Sequence, residues 1–290
     1  MHPRLWLQFA VPQRTLSKLV RLATRWSWKP WKNWLIHRIV RAYDIQIDEA
    51  ANPNIDTYLH FDAFFTRALK PGARVSDSDS ETILCPADGR ISQVGRIVDG
   101  LLFQAKGQFF STGDLLADSQ AAEAYQDGCF VTVYLSPRDY HRVHMPWLGR
   151  LIRTTHIPGR LFSVAPRVVE AIPGLFARNE RLVCHFESRQ GPFVVIMVGA
   201  MLVSGISTAW SGDVVPPYTR STCHTDWRPL GIQLPRFAEM GRFHMGSTVI
   251  VLFPASVNLH SSLHSEQSVQ VGQRLGFWPT PGYLHRSNLV

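Results

Sequence analysis

Three short stretches of this 290-residue chain carry side chains whose types and spacing suit covalent chemistry. In one, Gly246 and Ser247 stand directly before the β-branched, apolar run TVIVLF. In the others, Asp88 lies in PADGRI, and His141 and His144 lie in YLSPRDYHRVHMP. A serine, a histidine and a carboxylate have the composition of a nucleophile, its base and the group that orients the base. We therefore treat Asp88, His144 and Ser247 as one candidate set that the fold must bring together.

Each stretch also has a purely structural interpretation. Gly-Ser before a strand and Pro-Ala-Asp-Gly are both ordinary turn sequences. His141 and His144 have the spacing of two metal ligands on one helical turn, but no third cluster such as H-E-x-x-H accompanies them, and we predict no metal site. Ser247 lacks the G-x-S-x-G elbow of the α/β-hydrolases. The residues alone leave both a turn and a hydrolytic site open.

The composition limits what these residues can belong to. With 45% hydrophobic and 18% charged residues, the chain suits one large globular domain with an appendage, or two modest domains. A formal charge of +8 indicates an anionic partner. Four widely spaced cysteines without a C-x-x-C pair predict neither a zinc site nor a disulfide framework, and they favour a reducing compartment: Cys85, Cys129, Cys184 and Cys223.

The positive charge is concentrated at the N-terminus. Nine Lys or Arg residues and no acidic residue precede Asp44, and five of the nine tryptophans fall in the same stretch. In QRTLSKLVRLATRWSW the basic residues recur every three or four positions, and apolar residues follow the same period on another face. This pattern predicts a basic amphipathic helix, and WKNWLIHRIVRAY predicts a second one.

Both helices are expected to lie on an anionic membrane surface. Their apolar runs are far shorter than the roughly 20 residues that span a bilayer. The charges argue against a secretory signal, whereas an organelle transit peptide stays open. Nucleic-acid binding would also use Arg and Trp, but paired amphipathic faces with tryptophans favour lipid, and we predict no nucleic-acid partner. The expected membrane contacts are Arg14, Lys18, Arg21, Arg25, Trp26, Trp31 and Trp34.

Beyond Asp44 the pattern becomes β-rich. A helical stretch from Tyr58 to Leu69 precedes short segments separated by glycine and proline: GRISQVGRIV, GCFVTVYLSP, LVCHFES, GPFVVIMVGAMLVSGIS and STVIVLFP. This alternation predicts an α+β fold, with amphipathic N-terminal helices (residues 1–45) ahead of a β-rich catalytic domain (residues 46–290), and not a doubly wound α/β sheet. The last residues, FWPTPGYLHRSNLV, are expected to form an extended tail.

Five separated motifs resemble those of phosphatidylserine decarboxylases of the short bacterial type, in that family's order: PADGRIS, YLSPRDYHRVHMP, PGRLFSV, LFARNER and FHMGSTV. The resemblance runs from the amphipathic N-terminus to about Leu259. It departs from the family at Met245, where Leu or Gly is frequent, and in its short C-terminal tail. The first departure is an apolar exchange that we expect to be tolerated.

The resemblance implies a proenzyme that cuts itself between Gly246 and Ser247. The Oγ atom of Ser247 would attack the carbonyl of Gly246, which suits a flexible glycine without a side chain. By the same resemblance, His144 would take the hydroxyl proton and Asp88 would orient the imidazole and stabilise its charged form. The two products would stay together as a heterodimer, and higher oligomers stay open.

The implied activity is decarboxylation of phosphatidylserine to phosphatidylethanolamine. Ser247 would become a covalent pyruvoyl cofactor, whose Schiff base with the substrate amine is an electron sink, and His141 would protonate the carbanion. A peripheral position on the cytoplasmic face of a bacterial membrane follows from the lipid substrate and the basic N-terminus. A triad serine hydrolase acting on lipids and a non-enzymatic membrane-binding module are the alternatives. Only the decarboxylase requires the mature protein to be two chains.

Overall fold

The computed structural model describes residues 12–201 and 205–279, and their fold is α+β, as predicted. Two helices come first: α1 spans Gln13–Thr24 and α2 spans Lys29–Tyr43. Both predicted N-terminal helices are therefore confirmed. The first eleven residues of the proposed N-terminal segment, and residues 280–290 of the predicted tail, lie outside the described residues.

Helix α1 packs on the protein through its polar face. The Oε1 atom of Gln13 accepts a hydrogen bond from the backbone N–H of Leu161 at 2.8 Å. The opposite stripe is apolar, and Leu19 and Leu22 are 58% and 71% exposed. A helix of a globular protein normally buries its apolar stripe, so α1 has the reverse orientation. Its buried residues are all polar: Gln13, Ser17 and Thr24.

Helix α2 packs on a short aromatic helix, α3, which spans Phe61–Phe65. Ile36 of α2 is fully buried in this cluster, and the partly buried side chain of Met245 packs against the same cluster. Because Met245 precedes the candidate bond, the N-terminal helices contact the segment that carries it. The other apolar side chains that join the cluster include Ile45, Leu35, Ile39 and Val40.

The predicted helix from Tyr58 to Leu69 is wrong in its length, because only Phe61–Phe65 is α-helical. His60 begins the helix, and its Nδ1 atom accepts a hydrogen bond from the N–H of Ala63 at 3.0 Å. At the other end, Leu69 is extended and forms an isolated antiparallel bridge with Ala50. The apolar periodicity of this stretch therefore reflects burial of a short helix and the extended chain that follows it.

Beyond residue 81 the regular structure consists mainly of strands. They are β1 (Thr82–Leu84), β2 (Gly89–Arg96), β3 (Leu101–Ala105), β4 (Gln108–Ser111), β5 (Cys129–Leu135), β6 (Arg142–His144), β7 (Gly149–Ile157), β8 (Arg181–Glu187), β9 (Pro192–Gly199), β10 (Ile206–Thr208), β11 (Gly212–Val215), β12 (Cys223–Asp226), β13 (Gln233–Leu234), β14 (Glu239–Phe243), β15 (Ser247–Phe253), β16 (Asn258–Leu259), β17 (Ser268–Val269) and β18 (Arg274–Phe277). Short helices lie between them: α4 (Thr112–Leu116), α5 (Ser119–Ala122), α6 (Pro166–Val169) and α7 (Leu175–Arg178).

The core is a nine-stranded antiparallel sheet in the order β12-β7-β8-β9-β15-β5-β2-β17, with β13 paired to β7. Strand β15 lies inside it, between β9 and β5. Its side chains alternate between two buried clusters, with Val249 and Val251 on one face and Ile250 and Leu252 on the other. A strand covered on both faces reads as a continuous apolar run, which is the pattern of TVIVLF.

A second sheet, in the order β11-β10-β14-β6, carries His144 at the end of β6. Strand β14 of this sheet leads through Met245 and Gly246 directly into β15 of the nine-stranded sheet. The candidate bond therefore lies where the chain passes from one sheet to the other. Two smaller sheets complete the fold, with the orders β1-β18-β16 and β3-β4.

Candidate active site

Ser247 is the first residue of β15 and is fully buried. Its register partners are Leu135 of β5 and Gly199 of β9, so both neighbouring strands fix its backbone. The Oγ atom is buried and makes no hydrogen bond with the described residues. An unpaired buried hydroxyl costs about 1–3 kcal/mol, so it calls for an explanation beyond folding. A nucleophile that is held ready for attack supplies one.

The backbone before Ser247 is strained at Met245, which has a φ of 92°. A non-glycine residue in this region is uncommon and costs of order 1–3 kcal/mol. Gly246 itself has ample space, because a Cβ atom built on it would meet no atom within 4 Å. Crowding in the uncut chain therefore does not explain the glycine. Any requirement for it must come from flexibility during the reaction.

His144 is held as a neutral imidazole with an available lone pair. Its Nδ1 atom lies 2.7 Å from the carbonyl oxygen of Phe237, which can only accept, so Nδ1–H donates. Nε2 then accepts a hydrogen bond from the hydroxyl of Tyr140 at 3.1 Å. Burial lowers the pKa of His144 below its ordinary value. This protonation state is the one that a general base requires.

Asp88 lies near His144 in the folded chain, but its carboxylate does not hydrogen-bond to the imidazole of His144. The backbone N–H of His144 donates to the carbonyl of Pro86 at 2.8 Å. The carboxylate of Asp88 instead binds Arg74, at 2.5–3.0 Å, and accepts from the N–H of Val271 at 2.8 Å. The group that orients the imidazole in the uncut chain is therefore the Phe237 carbonyl, and the role of Asp88 in cleavage stays a prediction.

His141 is fully buried, and its ring centroid lies 4.1 Å from that of Phe65. Nδ1–H donates to the carbonyl of Asp139 at 2.7 Å, and Nε2 is buried without a partner among the described residues. Burial, together with the charge of Arg67, lowers the pKa of His141 to about 3. The near-neutral pKa expected of a proton donor is therefore absent here, and Nε2 is an acceptor in this state.

A third histidine, which the sequence analysis missed, lies three residues before Ser247. The Nδ1 atom of His244 lies 2.9 Å from both carboxylate oxygens of Asp62, and its Nε2 lies 3.0 Å from the Oγ of Ser207. All three residues are buried. They form a connected serine, histidine and carboxylate set. His244 stands in the FHMGSTV motif, but Asp62 is 182 positions away, and no local pattern links the two.

Two predicted membrane contacts on α1 are bound to this region. Arg25 donates from Nε to Asp62 at 3.0 Å, and Arg21 donates from Nη2 to Asp213 at 2.7 Å. The second carboxylate oxygen of Asp213 lies 3.7 Å from the Nε2 of His244. These ion pairs connect α1 to the strand end that precedes the candidate bond. Membrane contact by Arg21 and Arg25 stays a prediction.

The remaining predicted membrane contacts lie on or near the outer side of α1 and α2. Lys18 is exposed and Arg14 is partly exposed. Trp26 and Trp34 are 54% and 55% exposed, and partly buried Trp31 lies between them, with ring centroids 6.1 Å and 5.3 Å away. Among the described residues, no helix has both the length and the apolar character that crossing a membrane requires.

A cavity of about 770 Å³ borders the end of β5, the strand that pairs with β15. Its wall includes Tyr134 and Ser136, which flank Leu135, the strand partner of Ser247. Tyr140, which hydrogen-bonds to His144, also lines it, as does Asp88. The uncut chain thus already contains a space of the size that small-ligand sites have.

Comparisons with known proteins agree with this geometry. A family model described as Phosphatidylserine decarboxylase matches residues 61–277, and one described as PSD matches residues 3–44. A Stenotrophomonas maltophilia (strain R551-3) protein is 54% identical over 93% of this chain and 96% of its own length. A Xylella fastidiosa (strain M12) protein is 52% identical over 93% and 92%. Both relatives are named Phosphatidylserine decarboxylase proenzyme. The chain therefore belongs to the phosphatidylserine decarboxylase family.

Proposed function

We propose that this protein decarboxylates phosphatidylserine to phosphatidylethanolamine after cutting its own chain between Gly246 and Ser247. Two kinds of observation support this. The relatives over nearly the whole chain carry that activity and the word proenzyme in their names. The Oγ atom of Ser247 is buried and unpaired at the start of β15.

Cleavage begins with attack of the Ser247 Oγ on the carbonyl carbon of Gly246. His144 takes the hydroxyl proton at Nε2, because Nδ1–H already donates to Phe237 and only Nε2 has a lone pair. Tyr140 must release Nε2 for this step, since it donates to that atom in the uncut chain. The amide becomes an ester, and β-elimination releases the Gly246 carboxylate and leaves a dehydroalanine at residue 247. Water then hydrolyses the imine tautomer of that residue, which releases ammonia and leaves a pyruvoyl group on residues 247–290.

The pyruvoyl carbonyl supplies an electron sink for loss of carbon dioxide from an amino-acid headgroup. The site fits such a group, since residue 247 is buried and the cavity is lined by Tyr134 and Ser136, which flank its strand partner Leu135. The substrate ammonium must lose a proton before its nitrogen can attack a carbonyl; the unpaired Nε2 of His141 would accept that proton and later return it to the carbanion. Because burial excludes water, the proton that reaches the carbanion comes from a side chain that is held in place.

The lipid substrate assigns a role to the outward apolar stripe of α1. We propose that Leu19, Leu22 and Trp26 enter the membrane interface while Lys18 and Arg14 face anionic headgroups. The protein would then be peripheral on the cytoplasmic face of a bacterial membrane. The two cleavage products would remain one heterodimer, because β15 is hydrogen-bonded between β5 and β9 of the larger product.

The unpaired, buried Oγ of Ser247 carries the proposal, and intact-mass analysis tests it. The purified protein should consist of residues 1–246 and residues 247–290, with a blocked N-terminus on the smaller chain. It should also release carbon dioxide from phosphatidylserine in detergent micelles. A single intact chain with full activity would exclude the pyruvoyl mechanism. Cleaved protein without decarboxylase activity would support self-cleavage and contradict phosphatidylserine as the substrate.

A further inference from the structure

One buried cation in the cavity wall forms no salt bridge within the part of the chain that the structure describes. Arg67 follows α3, is 5% exposed, and lines the 770 Å³ cavity. Its Nε and Nη1 atoms are buried and make no hydrogen bond with residues 12–201 or 205–279. Its guanidinium carbon lies 5.1 Å from the ring centroid of Phe64, which holds the side chain in place.

The other arginines of the same cavity are neutralised. Arg74 binds Glu49 and Asp88 at 2.8 Å and 2.5 Å, Arg90 binds Glu266 at 3.0 Å, and Arg138 lies 3.8 Å from Asp139. Within the described chain, Arg67 alone among these four lacks a carboxylate within 4 Å. Burying an unpaired charge is strongly unfavourable, so a guanidinium kept in this state indicates an anionic ligand.

We infer that Arg67 binds the phosphodiester of the lipid headgroup. This inference rests on the proposed function, which supplies a substrate with two anionic groups, a phosphodiester and a carboxylate. A planar guanidinium with two free donor positions suits either group geometrically. The reaction itself decides between them.

The carboxylate loses its charge as carbon dioxide departs. A buried arginine bound to it would stabilise the substrate more than the transition state, and the reaction would slow. The phosphodiester keeps its charge in substrate, transition state and product. Arg67 can therefore hold that group throughout without opposing the chemistry, and its contribution should appear in substrate affinity and not in the rate of the bound complex.

The phosphodiester is also well placed for such a contact. The cavity wall contains Arg67 and also Tyr134 and Ser136, the chain neighbours of Leu135, which is the strand partner of Ser247. Arg67 lies near enough to His141 for its charge to affect that imidazole. A headgroup whose amine is at residue 247 and whose phosphate is at Arg67 would thus pass the histidine proposed to transfer the proton.

Steady-state assays of the mature protein in mixed micelles test the assignment. Arg67→Gln should raise KM for phosphatidylserine at least tenfold and leave kcat within about threefold, because an ion pair to a buried charge is removed. The inhibition constant of glycerophosphoethanolamine, which has the phosphodiester but no carboxylate, should rise by the same factor. Inhibition by serine, which has the carboxylate but no phosphate, should stay unchanged.

Two further variants calibrate the result. Arg67→Lys keeps the charge without the planar fork and should recover part of the affinity. Arg90→Gln removes a cavity arginine that already has a carboxylate partner and should change KM less than twofold. Weakened inhibition by serine with unchanged inhibition by glycerophosphoethanolamine would mean that Arg67 holds the carboxylate. Unchanged constants for both compounds would also overturn the inference.

Binding to the uncut chain keeps the test independent of processing and of activity. The cavity and Arg67 are present before cleavage, so Ser247→Ala protein should bind glycerophosphoethanolamine in a calorimetric titration. Adding Arg67→Gln should weaken that binding at least tenfold. Equal binding by both chains, or no binding by either, would overturn the inference. Wild-type protein that fails to decarboxylate phosphatidylserine would refute the proposed function, and this titration would still report on Arg67.

Discussion

Two sets of serine, histidine and carboxylate lie on either side of the same chain segment, and they differ in how completely they are paired. In the set of Asp62, His244 and Ser207, every member is hydrogen-bonded to the next. In the other set, the Ser247 Oγ has no partner and Asp88 is bound to Arg74 instead of His144. The geometrically complete triad does not contain the serine of the candidate bond, although its His244 directly precedes the strained Met245.

From this difference we expect Ser247, and not Ser207, to be the nucleophile. Ser207 lies within β10, between β11 and β14, and it does not follow the candidate bond. Ser247 follows that bond, has no hydrogen-bond partner among the described residues, and lies beside a backbone strained at Met245. We interpret the paired set as the support that holds the β14 end in place. The unpaired set is then the reacting one.

The largest expected effect separates the two serines. Ser247→Ala should remain a single chain without decarboxylase activity, because it lacks both the attacking oxygen and the precursor of the carbonyl. Ser207→Ala should be cut and should retain activity within about twofold, because Ser207 only completes a buried hydrogen bond. Gel electrophoresis and carbon dioxide release measure both. If folded Ser207→Ala protein stays uncut, the set of Asp62, His244 and Ser207 takes part in cleavage and our interpretation is wrong.

The next effect distinguishes the two histidines of YLSPRDYHRVHMP. His144→Ala should leave uncut precursor, since no other described lone pair is assigned to the Ser247 proton. His141→Ala should be cut and then decarboxylate at least 100-fold more slowly, the scale of a lost general acid or base. Time courses of cleavage and single-turnover decarboxylation give the two rates. Exchanged phenotypes would exchange the assigned roles.

Substitutions of the two supporting carboxylates, Asp62 and Asp88, should have different effects on cleavage and stability. Asp62→Asn removes the charge shared by His244 and Arg25, so it should slow cleavage several-fold and lower the free energy of unfolding by about 1–3 kcal/mol. Asp88→Asn should leave the precursor uncut if Asp88 moves to the His144 imidazole during the reaction. Lys18→Gln, on the same helix as Arg25 but exposed, is the control and should do neither. Cleavage half-times and urea unfolding of folded precursor test this, and wild-type half-times for both carboxylate variants would contradict it.

Much of the fold could be predicted because its signals are local. The run TVIVLF predicted a buried strand, and the basic periodicity predicted both N-terminal helices. The helix predicted from Tyr58 to Leu69 was too long, because apolar periodicity does not show where a five-residue helix ends. Burial of the polar face of α1 could not be foreseen either, because only the tertiary partners Leu161, Asp62 and Asp213 explain it.

The site was predictable as a set of residues but not as a set of contacts. Motif resemblance supplied Ser247, His144, Asp88 and His141, whereas the pairing of Asp88 with Arg74 depends on charges that the fold brings together. The unpaired state of Arg67 is likewise invisible in FFTRAL, because it is defined by which neighbours are missing. Long-range electrostatics and satisfaction of buried groups are the parts of a site that a single sequence does not encode locally.

Two histidines, the buried His141 and the partly buried His185, form no ion pair with a carboxylate among the described residues and should make the precursor labile to acid. Burial lowers the pKa of His141 to about 3 and that of His185 to about 4, below the ordinary 6.5. Between the lowered and the ordinary pKa the unfolded chain binds more protons than the folded chain does. The free energy of unfolding therefore falls as pH falls from about 6.5 towards 4. Each histidine contributes a slope of at most about 1.4 kcal/mol per pH unit. Urea unfolding of Ser247→Ala protein at several pH values should show a shallower slope with His185→Gln added, and an identical slope would contradict this.

The smallest effects concern the membrane-facing side of α1, where the two pairs of basic residues should behave differently. Arg14→Gln with Lys18→Gln should weaken sedimentation with anionic vesicles by about 1 kcal/mol per residue and leave self-cleavage unchanged. Arg21→Gln with Arg25→Gln removes the ion pairs to Asp213 and Asp62 and should slow cleavage as well. Both pairs carry the same charge, so total charge cannot account for a difference.

Salt separates the electrostatic part of binding from the apolar part. Raising the ionic strength from about 0.1 M to about 1 M shortens the screening length from roughly 10 Å to roughly 3 Å, so it should remove the contribution of Arg14 and Lys18 and leave that of the apolar stripe. Leu22→Ser, which alters an exposed apolar residue, should weaken binding equally at both salt concentrations. If Leu22→Ser binds vesicles as the parent does, the outward stripe of α1 serves another partner. If Arg21→Gln with Arg25→Gln is cut at the parent rate, the ion pairs only dock the helix, and the paired set does not support the cleavage site.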